Sequence, residues 1–567
     1  MTSKNEIARI LHEIADLLEL QDVAFKPRAY RAAARQVRTT SKGTDELDSL
    51  EVLTAMDGIG ESIGKKILEI IETGSLDYLE SLRKKVPGTM VELVKLNGVG
   101  PKTAIKLRRE LGITSIDQLE NAARDGKLRD LDGLGKKTEQ NIIDAIDFFR
   151  AHQGRSITGH VMDVVTKLKE NFSSIEGVDD VVIAGSYRRG RATVGDLDYV
   201  ILSSNPAIVN ESVINLNIVS KVRAAGKKKT SIIIEQGLQV DIRYFTLESY
   251  GAALLYFTGS KNHNVKLRKV AIDKGLKLNE FGLHDGETQE RIAGRTEKEV
   301  YGALGMEWIT PEIREDRGEV EAAMEGRLPE LVTRENIKGM FHVHTSWSEG
   351  NDTIQEMAVA CRDAGYEYVA ICDHAGSLGI AGGLMDDEIR DQINKIHDVD
   401  TKLDGITLLT GIEANIDSEG HLDVQQEILD DLDVVVASIH TGFNQSREKI
   451  TERILTAMAN DAVTIIGHPT GRLLTKRDSY DIDLDKVFER AAGLGTWMEL
   501  NAYPTRLDLS GSNCMKAKRA GCTIAIGSDA HDIAHLRYMT LGIKTARRGW
   551  LEPGNVANTK GVDELSL

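Results

Sequence analysis

From residue 336 onward the chain repeats one unit seven times, a short apolar run followed by a helical stretch. The runs are GMFHVH, EYVAICDH, ITLLTGIEA, DVVVASIH, VTIIGH, GTWMELNA and CTIAIGSDAH. Strands covered on both faces read as continuous apolar runs, and parallel neighbours need a crossover helix between them. The repeat therefore predicts a seven-stranded α/β barrel. Six of the seven runs end in a metal-capable side chain: His342 and His344, His374, Glu413, His440, His468, and Asp529 with His531. Glu349 follows in the loop after the first pair. In such a barrel the C-terminal strand ends meet on one rim, so these residues gather despite their separation in sequence. A lone histidine at a strand end is usually structural, but ligands on six strands of seven predict a metal site. Imidazole with carboxylate suits Zn, Mn or Fe, and nine candidates exceed the needs of one ion. A multinuclear centre of this kind forms a hydroxide and polarises a phosphate ester.

At 567 residues the chain exceeds a single core, and its first half has a different character. Residues 1–150 carry apolar side chains at helical spacing with short glycine-containing connections. Three segments, DGIGESIGKKI (57–67), NGVGPKTAIKL (97–107) and DGLGKKTEQNI (132–142), share Gly–apolar–Gly followed by a helix. The pairs Gly58 and Gly60, Gly98 and Gly100, and Gly133 and Gly135 permit a tight turn that presents backbone N–H groups at a helix N-terminus. Such groups hold a DNA phosphate without reading its sequence. Glycine-rich helix connections are commonly structural, yet three in one region favour DNA binding. Lys65 and Lys66 follow the first turn. A lysine beside a sugar-phosphate attacks an abasic aldehyde as a Schiff-base nucleophile if its pKa is depressed, whereas spacing alone favours a surface lysine.

Between 181 and 246 the pattern switches to strands, VVIAGS, DLDYVILS, SIIIEQ and LQVDIRYF, with one helix near 206–224. Asp196 and Asp198 point to one face of their strand because side chains alternate, and Asp241 joins them from a later strand. Three carboxylates on one face repel each other unless divalent cations lie between them, as in two-metal phosphoryl transfer. Gly185 and Ser186, with Arg188 and Arg189, make a turn suited to gripping phosphates. Residues 250–310 read as mixed, with a helix over 263–274. The highly charged stretch 311–335 reads as a linker or exposed helix, and the tail after Pro553 as loose.

The net charge of −17 opposes nucleic-acid binding only on average. Residues 311–567 carry 26 basic and 44 acidic groups, which leaves room for basic faces at 28–38, 188–191 and 227–229. The four cysteines form no CxxC pair and read as reduced core residues. No run of about 18 apolar residues appears, so no membrane association is expected. The N-terminal MTSKNEIARILHEIADLLEL carries acidic residues where a signal peptide would have none, which predicts a cytoplasmic location.

GSYRRG…GDLD, VDIRYF and YFTGSKNHNVKLR (256–268) resemble, in order, the palm and nucleotide-binding segments of family X DNA polymerases of the DNA polymerase beta type. The helical region resembles that family's lyase domain and DNA-gripping hairpins. HVHTSWSEG, CDH, GIEAN, SIH, GHP and GSDAH resemble the polymerase-and-histidinol-phosphatase (PHP) domain attached to many bacterial and archaeal members. The resemblance implies a multidomain chain: a helical lyase-like domain with the first helix-hairpin-helix (1–85) and DNA-gripping helix-hairpin-helix repeats (86–150). An α+β nucleotidyltransferase palm (151–250) and a nucleotide-selecting thumb (251–317) follow. A linker (318–335) leads to a distorted (β/α)7 PHP barrel (336–567). It implies Asp196, Asp198 and Asp241 as catalytic ligands of Mg2+ or Mn2+, and Gly185, Ser186 and Arg189 as triphosphate contacts. It places Tyr256, Phe257 and Gly259 around the sugar, and Asn264 and Arg268 on the minor-groove side of the base pair. Lys66 falls on the family's lyase lysine, with Tyr30 and Lys26 nearby. In the barrel it implies a multinuclear Mn2+, Zn2+ or Fe2+ centre, with Arg472 and Arg506 as candidate phosphate contacts. One departure stands out: the family usually has aspartate where this chain has Glu349, whose extra methylene would shift one metal. The implied function is gap filling on gapped or primer-template DNA with dNTPs, by a monomer whose barrel is a 3′–5′ exonuclease or phosphoesterase. Two other readings stay open: an active barrel behind a DNA clamp with a weakly active polymerase half, and a nontemplated nucleotidyltransferase.

Overall fold

The computed structural model describes residues 4–565 apart from 22, 24, 41–45, 57, 87, 95, 97, 153, 236 and 377–382. The chain divides into two compact units, Met1–Gln153 with Thr475–Arg477, and Gly154–Leu474 with Asp478–Leu567.

The first unit is helical. In Lys4–Leu20 the residues Ile7, Leu11, Ile14 and Leu18 recur every three or four positions and are all buried. They pack with Ala33, Ala34 and Val37 of Lys26–Thr39, whose small side chains let the two helices approach closely. The three repeated turns form as their spacing predicts. Gly58, Gly98 and Gly133 have φ of +74°, +83° and +75°, a region that side chains with a Cβ rarely adopt. Gly60 and Gly100 then cap the helices Glu61–Thr73 and Pro101–Leu111, and Gly135 precedes Lys136–His152. Residues 57 and 97, which open two of the repeats, lie outside the described residues.

The second unit begins with a five-stranded sheet in the order Asp180–Ile183, Asp196–Leu202, Gln239–Phe245, Lys229–Ile234, Val219–Ala225. Only the pairing of Asp196–Leu202 with Gln239–Phe245 is parallel. The helix expected near 206–224 is shorter. It ends at Ile214, and Val219–Ala225 is a strand. That strand lies at the sheet edge with all but its first residue exposed, so it lacks the apolar alternation by which a half-buried strand is recognised.

Two helices, Leu247–Thr258 and Lys261–Asp273, follow with a three-stranded antiparallel sheet built from Leu276–Asn279, Gly282–Asp285 and Arg291–Ala293. In the charged segment expected to be a linker, the helix Glu319–Met324 sends Val320 and Ala323 into the core of this subdomain. Glu319 is itself buried, 2.7 Å from His263, whose other ring nitrogen meets the Tyr301 hydroxyl at 2.8 Å. Charge density misleads here because a carboxylate is buried once it has a partner.

The last part is a closed barrel of seven parallel strands in sequence order: Gly339–Val343, Tyr368–Ile371, Thr407–Asn415, Val434–Ser438, Ile465–Ile466, Trp497–Asn501 and Ile524–Ala530. Phe341, Tyr368, Leu409, Val434, Ile465, Trp497 and Ala525, one from each strand, meet in a single interior cluster. The tail expected to be loose is part of this core. Ala557 and Leu565 join the interior cluster. The Asn558 amide donates to the carbonyls of Gly339 and Ile526, and its oxygen accepts from the Ile526 N–H. One asparagine thus satisfies backbone groups of the first and last strands. The four cysteines are buried and unpaired, and no helix among the described residues is long and apolar enough to cross a membrane.

Candidate metal centres

In the sheet of the second unit, the parallel register sets Asp198 directly opposite Asp241, with Asp196 two residues before Asp198 on the same strand. Their carboxyl groups are electrostatically unequal. Burial, then the charges of Asp196 and Asp241, push the Asp198 carboxyl up to about 7. Burial also acts on Asp241, but hydrogen bonds from Lys229 and Ser231 outweigh it and hold that carboxyl below its usual range. Crowded acids of this kind are the donor set that divalent cations relieve.

Gly185 opens the turn beside them with φ of +58°, and a Cβ there would collide with Asp198 Oδ2. Ser186 follows in the short helix Gly185–Arg188. Alanine at 185 would be both strained and in collision with the carboxylate. Gly185→Ala is expected to cut primer extension by about 100-fold or more while 3′-end degradation stays near wild type, measured on one labelled DNA.

Arg188, read from sequence as a phosphate contact, is otherwise engaged. It forms a two-point ion pair with Glu297 at 2.8 and 2.9 Å and donates to Thr258 Oγ1 at 2.7 Å. Arg189 donates through Nε to Glu315 at 3.1 Å and through Nη1 to the Thr258 carbonyl. Tyr256 and Phe257 end the helix Leu247–Thr258, with Phe257 packed on Phe245 and under the Arg243 guanidinium. Gly259 has φ of +70°, and a Cβ on it would lie 3.2 Å from Arg189 Nη1. The Asn264 amide donates to the Tyr256 carbonyl at 2.7 Å, its buried Oδ1 has no partner among the described residues, and Arg268 Nε donates to the Asn264 carbonyl at 3.3 Å. Hydrogen bonds and packing thus link Tyr256 with Asn264 and Arg268, and Arg189 with the Gly259 turn.

In the helical unit, Lys66 Nζ donates to the Ser62 carbonyl and hydroxyl at 2.9 and 3.1 Å and lies 4.9 Å from the centre of the Tyr78 ring. Tyr30 stacks on the same ring. Burial and the nearby charge of Lys26 lower the Lys66 pKa. At Gly60, Gly98, Gly100, Gly133 and Gly135 nothing among the described residues lies within 4 Å of where a Cβ would stand. No packing among the described residues therefore demands a small residue there.

The barrel rim brings together all nine side chains expected of it. Glu413, buried, lies within reach of five imidazoles: His374 at 2.9 Å, His468 at 3.1 Å, His440 at 3.2 Å, His342 at 3.3 Å and His344 at 3.6 Å. Asp529 lies 3.4 Å from His344 and 3.6 Å from His531, and Glu349 lies 3.0 Å from His531 and 3.3 Å from His374. Among the described residues, three overlapping triads have their donor atoms within 4.8 Å of one another: His344, His374 and His531; His342, His344 and Asp529; His374, Glu413 and His440. Among the described residues, buried nitrogens of His342, His344, His374, His440 and His468 make no hydrogen bond of good geometry. Orphaned imidazole nitrogens turned toward carboxylates fit cations that bind both. His342, His468 and Asp529 also have positive φ, a strained backbone of the kind that collects at functional sites.

Two residues of this centre escaped the sequence reading. Glu499 sits on the one strand to which no ligand was assigned. It meets His342 Nδ1 at 2.6 Å, so it orients that ring and leaves Nε2 facing Glu413. Asp373 accepts from the Thr345 N–H and hydroxyl, the Ser348 hydroxyl and the Gln392 amide, which fixes the start of the loop carrying Glu349. A carboxylate within each apolar run was the available signal. Of the two arginines proposed as phosphate contacts, Arg506 lies 3.4 Å from Asp529, beside the cluster. Arg472 instead donates to the carbonyls of Arg506 and Leu507 and braces that loop.

Several protein families match successive stretches of the chain. A helix-hairpin-helix domain family matches residues 2–76, a SAM-like helix-hairpin-helix tandem 90–147, the DNA polymerase beta palm 156–255, the DNA polymerase beta thumb 253–315, and the PHP domain 341–501. The DNA polymerase/3′-5′ exonuclease PolX of Bacillus subtilis (strain 168) is 38% identical over 565 residues, covering 99% of this chain and 98% of its own. A probable phosphatase of Thermoanaerobacter sp. (strain X514) is 32% identical over 229 residues, 38% of this chain and 89% of its own. DNA polymerase lambda of Arabidopsis thaliana is 26% identical over 315 residues, 49% of this chain and 56% of its own.

Proposed function

Because the chain belongs to the PolX group of family X DNA polymerases that carry a PHP domain, we propose that it fills short gaps in DNA and trims 3′ ends from two separate metal centres. The observation that carries the polymerase half is the parallel register that sets Asp198 against Asp241 under the Gly185 turn. Divalent cations held by Asp196, Asp198 and Asp241, Mg2+ or Mn2+ by their oxygen donors, would activate the primer 3′-hydroxyl and neutralise the triphosphate. The remaining work falls to the chain itself. Gly185 lets the backbone approach the phosphates, and Ser186 and Arg189 hold them. Tyr256, Phe257 and Gly259 shape the sugar pocket, and Asn264 with Arg268 contacts the minor-groove edge of the new pair. The open glycine turns at Gly58/Gly60, Gly98/Gly100 and Gly133/Gly135 leave room for DNA phosphates to reach backbone N–H groups.

In the barrel, the mixed imidazole and carboxylate donors suit Mn2+, Zn2+ or Fe2+, which would supply a hydroxide and polarise a phosphodiester. Glu413 bridges the cluster, Glu499 orients His342, and Arg506 stands where it can meet a phosphate. Glu349, in place of the usual aspartate, reaches His374 and His531 in spite of its extra methylene. We read the protein as a monomer that takes gapped or primer-template DNA and dNTPs. Four buried, unpaired thiols support a reducing compartment such as the cytoplasm.

The polymerase reading is tested by extension with dNTPs on a gapped duplex and on a single strand of the same sequence. Templated filling that stops at the gap end supports it. Equal extension of the single strand would instead support a nontemplated transferase.

Lys66 is read as an abasic-site lyase nucleophile, since burial and Lys26 lower its pKa. Borohydride should trap the wild-type chain on an abasic substrate, and Lys66→Ala should lose about 90% or more of that adduct. An undiminished adduct would move the activity to another amine.

A further inference from the structure

The barrel touches the phosphate-gripping turn of the palm through one helix, Met539–Arg548. Arg548 is 8% exposed, and its Nη1 donates to the Arg189 carbonyl at 2.6 Å and to Glu315 Oε1 at 3.0 Å. The same Glu315 oxygen accepts from Arg189 Nε at 3.1 Å. One carboxylate is therefore shared between an arginine of the barrel and an arginine of the palm. The backbone and the side chain of Arg189 are both fixed by this arrangement.

The rest of the contact is equally close. Gly190 has φ of +66°, and a Cβ there would stand 3.1 Å from Lys544 Cβ and 3.6 Å from Arg548 Cδ. Lys544 Nζ lies over the Tyr187 ring, 5.0 Å from its centre. Behind Arg548, a Cβ on Gly511 would come within 2.8 Å of the arginine Cβ, so its place on the helix leaves no slack.

We propose that Arg548 is a positioning residue for nucleotide binding: through Glu315 and the Arg189 carbonyl it presets the palm's triphosphate-binding turn, which makes the barrel a working part of the polymerase site. The inference rests on the reading of Arg189 as a triphosphate contact. Arg189 commits Nε to Glu315 and Nη1 to the Thr258 carbonyl, and these contacts leave out Nη2. A guanidinium held at two points loses less rotamer freedom when the third meets a phosphate. Without Arg548, Glu315 keeps Arg189 as its nearest cation and the carbonyl of the turn loses a charged donor. Binding must then order the turn at its own cost. Burial lowers the Arg548 pKa to about 10 against the charge of Glu315, so the guanidinium stays charged at neutral pH.

The test uses the full chain on gapped DNA, reading kcat and KM for a dNTP, affinity for the DNA, and 3′-end degradation. Arg548→Met should raise the dNTP KM roughly tenfold with kcat within about threefold, and leave DNA affinity and degradation unchanged. Arg548→Lys should recover part of the loss, and Arg548→Met combined with Glu315→Gln should add little to either alone. Arg189→Ala separates the two claims. If it raises KM while a folded Arg548→Met does not, the inference is overturned and the reading of Arg189 stands. If Arg189→Ala leaves KM unchanged, the reading of Arg189 falls and takes the inference with it. Should Arg548→Met fail to fold, Glu315→Gln carries the test, and an unchanged KM there also overturns the inference.

Discussion

Asp198→Asn should abolish gap filling, lowering the single-turnover extension rate about 1,000-fold or more, which corresponds to about 4 kcal/mol of transition-state stabilisation. The size follows from the position. Asp198 faces Asp241 across the parallel ladder, Asp196 shares its strand, and Gly185 lies against its carboxylate. Asparagine keeps the volume but removes a negative charge that would help hold divalent cations at this site. It also removes a carboxyl that burial, and then the charges of Asp196 and Asp241, push upward. The variant should therefore be no less stable than wild type while being inactive in extension, a combination that melting and single-turnover extension together can check. The barrel uses other residues, so degradation of the same primer should continue.

The second large effect belongs to Glu413. Against burial, which raises it, the charges of His374, His342 and His440 hold this carboxyl well below its usual range. Five imidazoles converge on it within 3.6 Å. Glu413→Ala should lower 3′-end degradation about 1,000-fold and leave gap filling within about twofold of wild type. Metal binding gives a readout independent of activity. A ligand held only by the folded state stabilises it by about 2.7 kcal/mol at 100 times its dissociation constant. Adding Mn2+ to chelated wild-type protein should therefore raise the melting temperature of the barrel by several degrees, and the Glu413→Ala protein should show little or no such rise. A full metal-dependent shift in the variant would mean that the cations sit elsewhere.

The parts of this molecule that sequence disclosed are those whose chemistry is locally odd. Histidines and acids at the ends of apolar runs break the expected composition of a core, and so announce the rim. The Gly–apolar–Gly repeats announce their turns for the same reason, because positive φ has few other solutions. What stayed hidden depends on partners that the local sequence pattern does not show. Val219–Ala225 is a strand only because Lys229–Ile234 offers it an edge. Glu319 is buried only because His263 meets it. The tail becomes core because Asn558 satisfies backbone groups of the first and last strands. Arg188 shows the limit most plainly. Its place in Gly-Ser-Tyr-Arg-Arg-Gly suggested a phosphate contact, but Glu297, more than a hundred residues later, takes its guanidinium. Glu499 was legible as a charge in an apolar strand, yet its role as the partner of His342 needed the barrel to be closed first.

One chain is proposed to carry two metal centres whose chemistries are separable. The most direct measurement follows extension and 3′-end degradation together on a single labelled, gapped DNA, for wild type, Asp198→Asn and Glu413→Ala under the same divalent cation. A clean separation is expected: wild type does both, Asp198→Asn only degrades, and Glu413→Ala only extends. Extension by the Asp198→Asn chain, or a folded Glu413→Ala chain that still degrades at the wild-type rate, would contradict it.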